Sequence, residues 1–184
     1  MSNFELIGEF NKSFGVTEHD TPQLDIIKKD PEIIKYRLSL ITEEYKELVE
    51  ALENNDYVET VDALSDILYV VYGMGRAIGI DLDKAFSLVH KSNMSKLCKN
   101  EDEAKQTVEW YKQQYELGKQ PYDSPNYRKS PDGKYWVVYN KSTNKILKSI
   151  NYRVVTDDLV KLCNQNKSPI NEKESVFEDK HEWF

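Results

Sequence analysis

The chain contains few of the residues that crosslink proteins or bind soft metal ions. Among its 184 residues are two cysteines, Cys98 and Cys163, and three scattered histidines. Two cysteines so far apart do not make a disulfide framework, and so few Cys and His ligands exclude a conventional zinc site. We therefore expect a protein of a reducing compartment, the cytoplasm, in which any metal ligands are oxygen atoms.

Long apolar runs and an excess of positive charge are also missing. The longest apolar run, residues 67–72, is far shorter than the about 20 residues that cross a bilayer, and no basic-then-apolar leader pattern is present. Acidic residues outnumber basic ones by 32 to 25, which gives a formal net charge of -7. We therefore expect neither a membrane nor a nucleic-acid polymer as a partner.

The spacing of apolar residues predicts a mostly α-helical protein. Helical periodicity begins near residues 3, 31, 57, 81 and 102, with Pro31 in a first turn and Asp56 and Asp81 at helix starts. The second of these helices carries the apolar residues that we expect to form its buried stripe, which include Ile41, Tyr45, Leu48 and Leu52. These long helices predict a helical bundle over residues 1–118.

The composition changes after Gly118. Prolines stand at positions 121, 125 and 131, and residues 135–139 and 145–148 are typical of two strands of a hairpin, with a third strand over 122–128 as an option. Residues 156–162 are typical of a short helix. We predict a helical domain over 1–118, a small appendage of a β-hairpin plus a short helix over 119–165, and a poorly ordered polar tail over 166–184.

Two acidic clusters lie on consecutive predicted helices. Helical angles place Glu44 and Glu47 beside the apolar stripe of the first helix, whereas Glu43 and Glu50 point away from it. On the next helix a single strip carries three acids, which are Glu59, Asp62 and Asp66. The short turn makes the helices antiparallel neighbours, so the two sets face each other across a groove. The second strip continues through apolar and small residues, so we expect it to be buried.

Carboxylates gathered in one groove repel one another unless a cation compensates their charge. Ligands that are all oxygen favour Mg²⁺, with Mn²⁺ as an alternative ion, and Mg²⁺ sites are commonly completed by substrate phosphates. The competing interpretation is that these acids are solvated on an ordinary charged helix and that the protein is a plain interaction bundle.

The same acids form a recognisable motif. Glu43-Glu44-x-x-Glu47, followed by Glu59-x-x-Asp62, resembles the EExxE…ExxD signature of the all-α nucleoside triphosphate pyrophosphohydrolases. Residues 62–73 and 89–97 are similar to the MazG-like, phosphoribosyl-ATP pyrophosphohydrolase-like branch of that superfamily. The resemblance covers about residues 1–118. It implies an all-α helical bundle, to which the small C-terminal β-hairpin is an appendage.

The resemblance implies Mg²⁺-dependent cleavage between the α- and β-phosphates of an NTP or dNTP, which releases a monophosphate and pyrophosphate. The residues that match the metal ligands are Glu44, Glu47, Glu59 and Asp62. Asp66 is kept beside Asp62, which is preferred, because it directly precedes an Ile-Leu-Tyr run. Glu43 matches an acid that orients a ligand or the attacking water, and either Glu43 or Glu47 is expected to accept the water proton.

Three residues further along are candidates for binding phosphate. Asn93, Lys96 and, more weakly, Lys91 can donate hydrogen bonds to phosphate oxygens, although an exposed basic turn explains them equally simply. The resemblance also implies a homodimer or a dimer of dimers. Three readings stay open besides a general NTP or dNTP hydrolase: a dUTPase, a phosphoribosyl-ATP pyrophosphohydrolase, and a non-catalytic module that binds metal or nucleotide.

Overall fold

A computed structural model describes residues 1–165, to which every structural statement below refers. The predicted mostly α fold with a small β-hairpin is confirmed. In chain order the elements are α1 (Asn3–Phe14), α2 (Ile26–Lys29), α3 (Pro31–Glu53), α4 (Tyr57–Ile78), α5 (Leu82–Met94), α6 (Glu101–Glu116), β1 (Pro125–Lys129), β2 (Trp136–Asn140) and α7 (Thr156–Cys163). The predicted polar tail over 166–184 lies outside the described residues.

Local side chains determine where the long helices begin and end. Asp30, Asp56 and Asp81 each accept backbone N–H groups at the start of α3, α4 and α5, which satisfies donors that have no partner inside the helix. Gly79 ends α4 with a φ of 74°, and a Cβ there would lie 1.9 Å from the carbonyl oxygen of Thr21. Only glycine fits this close approach, so α4 stops where the segment before α2 crosses it.

The centre of the helical part is an antiparallel hairpin of α3 and α4. A turn over residues 54–56 joins the two helices, with Asn55 in the left-handed region at a φ of 53°. Helix α1 packs on α4, and α2 packs on α3. Helix α5 then turns by 108° away from α4. The hairpin therefore presents one long contact between α3 and α4 with helices on its outer sides.

The face that α3 turns toward α4 differs from the predicted stripe. Arg37 and Ala51 are buried at 7% and 5% exposure, whereas Tyr45 and Leu52 are exposed at 59% and 57%. The prediction that Tyr45 and Leu52 belong to the core of this chain is therefore wrong. The contact follows positions 37, 44 and 51, which are spaced by seven residues and lie to one side of the apolar stripe.

A second hydrophobic cluster is built by α6 and the hairpin. Strand β1 pairs antiparallel with β2, with Tyr127 opposite Val138. The buried residues of this cluster are Cys98, Ala104, Val108, Tyr111, Val138 and Leu147. Helix α6 thus packs with residues beyond 118, and the proposed domain boundary at that position stays a prediction.

One of the two strands predicted for the hairpin, residues 135–139, is confirmed, and its partner overlaps the optional third strand over 122–128 rather than residues 145–148. Residues 125–129 pair with 136–140, and the segment 145–148 forms no strand but a single bridge between Tyr139 and Ile146. The backbone of this segment makes two hydrogen bonds to β2, and Leu147, at 2% exposure, lies in the cluster on α6. The turn lies earlier, where Asp132 accepts hydrogen bonds from Ser130 and Lys134.

A buried carboxylate fastens the end of this second cluster to α6. Glu103 accepts hydrogen bonds from the Ser149 hydroxyl and from the backbone N–H of Lys99. Each of its two carboxylate oxygens therefore has a hydrogen-bond donor. Burial alone would raise the pKa of Glu103, but the hydrogen bonds from Ser149 and Lys99 lower it on balance.

No single helix among residues 1–165 has both the length and the apolar character needed to cross a bilayer. Helices α4 and α5 satisfy that criterion only as a pair with a sharp bend, and only by length and composition.

Candidate functional site

Polar side chains occupy the contact between α3 and α4. We call this contact the polar seam and define it by Arg37, Glu44 and Ala51 of α3 and, opposite them, Gly73, Asp66 and Glu59 of α4. The Arg37 guanidinium lies against Gly73, Glu44 is close enough to Asp66 for their charges to interact, and Ala51 and Glu59 line one cleft. A helix pair ordinarily buries apolar residues at such positions, so this seam is unusual.

Glu44 is the electrostatic centre of the seam. It is half-buried, and burial raises its pKa first of all. The acids that raise it further are Glu47, Asp66, Glu43 and Asp62. Each of the predicted acids of both helices except Glu59 therefore acts on this one carboxyl group. A cation bound beside Glu44 would stabilise its ionised carboxylate, which burial and the neighbouring negative charges disfavour.

The seam opens into an acidic cleft near the turn between the helices. The cleft has a volume of about 360 Å³ and is lined by Glu47, Glu50, Ala51, Asn54, Asp56 and Glu59. Helical angles predicted that Glu50 points away from the apolar stripe, but it shares this cleft with Glu47 and Glu59. Its spacing of three residues from Glu47 is the signal that could have identified it. Asp56 is already engaged in capping α4.

The acids of α4 are less buried than the sequence suggests. Glu59 and Asp62 are exposed and only Asp66 is half-buried, so the prediction of a buried acidic strip is wrong for its first two members. Helix α4 buries Ala63, Gly73 and Ala77 instead. Small residues allow the two helices to approach closely, and the longer acidic side chains are left at the rim of the seam.

The carboxylates of the two helices face one another without converging on a point. In the part of the chain that the structure describes, no three His, Cys, Asp or Glu side chains are grouped closely enough to hold a metal ion as they stand. Long, exposed Glu side chains change rotamer at little cost. The positions of their backbones on α3 and α4 therefore determine which carboxylates could bind the same ion.

The three phosphate-binding candidates lie elsewhere on the chain. About 18 Å of helix separates Asp66 from the end of α4, and α5 then carries Asn93 about 16 Å further in a direction turned by 108°. Lys91 and Asn93 are exposed and Lys96 is half-buried. None of the hydrogen bonds or ion pairs seen among residues 1–165 joins them to the acids. The structure therefore shows no direct contact between these three residues and the acids.

The structure describes a mostly α-helical protein with a polar seam, and comparison with known proteins identifies its family. Residues 8–93 match the family model of phosphoribosyl-ATP pyrophosphohydrolase, a segment that includes every acid of the seam. The chain belongs to the MazG-like, phosphoribosyl-ATP pyrophosphohydrolase-like family, and the resemblance found in its motifs is confirmed. Family membership indicates a pyrophosphohydrolase activity.

A relative supports the same grouping over more of the chain. An uncharacterized protein of Acanthamoeba polyphaga mimivirus is 31% identical, and the match covers 80% of this chain and 91% of the relative. The similarity thus extends beyond residues 8–93 and includes part of the region that follows α5.

Proposed function

We propose that this chain is a Mg²⁺-dependent nucleoside triphosphate pyrophosphohydrolase. It would cleave an NTP or dNTP between the α- and β-phosphates and release the monophosphate and pyrophosphate. The observation that supports this proposal most strongly is the set of acids coupled to Glu44, which lies within the segment that matches the family model. The cytoplasmic nucleotide pool would supply the substrate.

The acids in the polar seam and at its rim have the chemistry that suits Mg²⁺. The residues that would hold the ion are Glu44, Glu47, Glu59 and Asp62, with Asp66 as a further ligand opposite Glu44. All are carboxylates, which Mg²⁺ and Mn²⁺ prefer, and the pKa of Glu44 is raised by burial and then by the negative charge of its neighbours, both of which a cation would offset. When bound, the ion would neutralise phosphate charge and make a water molecule more acidic.

An acid that is not fully used as a metal ligand, either Glu43 or Glu47, would accept the proton of the attacking water. Glu47 and Glu43 both line the outer surface of α3 beside Lys46, but only Glu47 also lines the acidic cleft, together with Glu59. Glu47 is therefore better placed to accept the proton on a carboxylate oxygen, and Glu43 to orient the site through its charge. The water oxygen forms the new bond to the α-phosphorus, and pyrophosphate leaves with the electron pair of the broken bond.

We also propose that the working form is a homodimer or a dimer of dimers. An exposed stripe with heptad spacing runs along α4 on the side away from the acids, formed by Tyr57, Val61, Leu64 and Leu68. Leu38, Tyr45 and Leu52 form a similar exposed stripe on α3. Two such stripes on one helical hairpin suit a four-helix bundle made with a second copy. Assembly would also allow Asn93, Lys96 and Lys91 of one copy to serve the phosphates bound by another.

The test is pyrophosphate release by the assembled protein across a nucleotide panel. The panel contains the common NTPs and dNTPs, dUTP and phosphoribosyl-ATP, each with Mg²⁺ and with EDTA. We expect pyrophosphate and monophosphate in equal amounts, only with Mg²⁺, and loss of both in Glu47→Gln and Asp62→Asn.

Two results would count against the enzyme. Nucleotide binding without turnover of any panel member would indicate a non-catalytic binding module. No turnover, no nucleotide binding and no effect of Mg²⁺ on thermal stability would indicate a plain interaction bundle.

A further inference from the structure

Arg37 is buried without a partner. Within residues 1–165, the buried side-chain polar atom that lacks any hydrogen bond is its Nε, and the residue is 7% exposed. No ion pair of the described residues includes it, and its one aromatic neighbour is the Tyr36 ring at 6.0 Å. A guanidinium carries five donors and a permanent charge, so burying it unpaired is costly. Such a group calls for an anion that is not part of this chain.

The position of Arg37 connects it to the acids. It occupies the polar seam seven residues before Glu44, which places it about 10 Å away along the same side of α3. Its Nη1 lies against Gly73, where an added Cβ would be only 2.9 Å away. The missing side chain at Gly73 therefore makes the space that holds the guanidinium inside the seam.

The missing anion is unlike a protein carboxylate. A carboxylate from a second copy would add negative charge to a seam that already contains the carboxylates of Glu44, Asp66 and Glu59. The exposed apolar stripes that suit a second copy also lie on other sides of α3 and α4. A nucleoside triphosphate, by contrast, binds as a complex with a divalent cation, which the acids can hold. Its distal phosphates extend beyond that cation and carry the negative charge that Arg37 lacks.

We propose that Arg37 binds the β- and γ-phosphates of the nucleotide, the part that leaves as pyrophosphate. This inference rests on the proposed function and adds to it a residue outside the acidic motif. The acids would hold the cation at one end of the phosphate chain and Arg37 would hold the other end, two helical turns away. Its planar fork suits phosphate oxygens and would offset the charge that pyrophosphate gains as the bond to the α-phosphorus breaks.

The experiment compares nucleotides that do and do not carry the distal phosphates. An α,β-methylene dNTP, which cannot be cleaved between those phosphates, and the matching dNMP are titrated by calorimetry with Mg²⁺. We expect Arg37→Met to weaken the triphosphate analogue by about tenfold or more and the monophosphate by less than about twofold. Lys35→Met removes the same charge from the exposed face of α3 and should leave both affinities within about twofold.

A second variant keeps the arginine and shifts it. Gly73→Ala crowds the guanidinium, and we expect it to weaken the triphosphate analogue selectively, by less than Arg37→Met does. If Arg37→Met fails to fold, an unchanged triphosphate affinity in Gly73→Ala overturns the assignment.

Three further results would overturn it. Equal losses for the triphosphate and the monophosphate would mean a general effect on the site. Loss of the oligomer with unchanged affinity per protomer would mean that Arg37 meets a carboxylate of a second copy. A lower melting temperature with unchanged affinities would mean a purely structural role. Wild-type protein that binds the analogue through Arg37 but hydrolyses no nucleotide would instead refute the proposed function alone.

Discussion

Replacing Glu44 by glutamine should stabilise the metal-free protein. The change keeps the shape of the side chain and removes the charge on which four other acids act. At about 8 Å in a water-like dielectric, two unit charges repel by about 0.5 kcal/mol, and salt screening reduces four such pairs to about 1 kcal/mol in total. For a chain of this size, a gain of about 1 kcal/mol raises Tm by roughly 2–4 °C.

The effect should depend on pH in a defined direction. Burial and the neighbouring acids raise the pKa of Glu44, so its ionisation disfavours the folded state. Below the unfolded glutamate pKa of about 4.3, the carboxyl group is protonated in both states and the two proteins should unfold alike. The advantage of Glu44→Gln should grow as the pH rises through the raised pKa and stay constant above it.

Divalent cation should reverse the order. Thermal unfolding is followed by circular dichroism with EDTA and with Mg²⁺, and Glu9→Gln, an exposed acid on α1, serves as the control for a loss of charge. We expect Mg²⁺ to raise the Tm of wild type and of Glu9→Gln and to have little effect on Glu44→Gln. A lower Tm for Glu44→Gln in EDTA would show that the carboxylate is stabilised in the metal-free fold, and the electrostatic argument for the seam would fail.

Three further predictions concern other parts of the molecule. Asp62→Asn, at an exposed position, should leave Tm within about 1 °C and reduce kcat by about 100-fold, measured as pyrophosphate release; retained activity would remove Asp62 from the ligand set. Leu64→Glu should convert the oligomer to a monomer in light scattering, and a monomeric wild type would contradict the proposed assembly. Ser149→Ala should cost about 1–3 kcal/mol in urea unfolding because Glu103 loses a donor. That cost should be present above pH of about 4.3 and vanish as the pH falls through the lowered pKa of Glu103; a pH-independent cost would indicate lost packing instead.

The helices of the first part could be predicted because their signals are local. Asp56 and Asp81 act within one turn of the helix that each begins, and Gly15 ends α1 in the left-handed conformation. The acidic motif is local in the same sense, since Glu44 and Glu47 share one helix. These features depend on a few neighbouring residues, so the sequence alone was sufficient for them.

The orientation of α3 could not be predicted in the same way. Apolar periodicity correctly located a stripe on this helix, but the rule that such a stripe faces the core of its own chain failed for Tyr45 and Leu52. The contact instead uses Arg37 and Glu44, which a hydrophobicity pattern assigns to the surface. The cause is that this chain places charged groups of a proposed site inside its longest helix contact.

The predicted strand at residues 145–148 failed for a different reason. Residues 145–148 have the composition of a strand and make two backbone hydrogen bonds to β2, but Leu147 packs in one cluster with Val108 and Tyr111 of α6. That partner lies more than thirty residues earlier in the chain. Competition between a local ladder and a distant hydrophobic cluster is decided by packing, which a short sequence pattern does not contain.

The attachment of Ser149 to Glu103 has a consequence for the order of events during synthesis. The α3–α4 hairpin is closed by a short turn, so it can form as soon as α4 has left the ribosome. The cluster on α6 is different, because its closing contacts come from Leu147 and Ser149, more than forty residues after Glu103. Helix α6 therefore emerges with only the Lys99 N–H of these two donors beside Glu103, and its apolar face stays uncovered until residues 147–149 have been made.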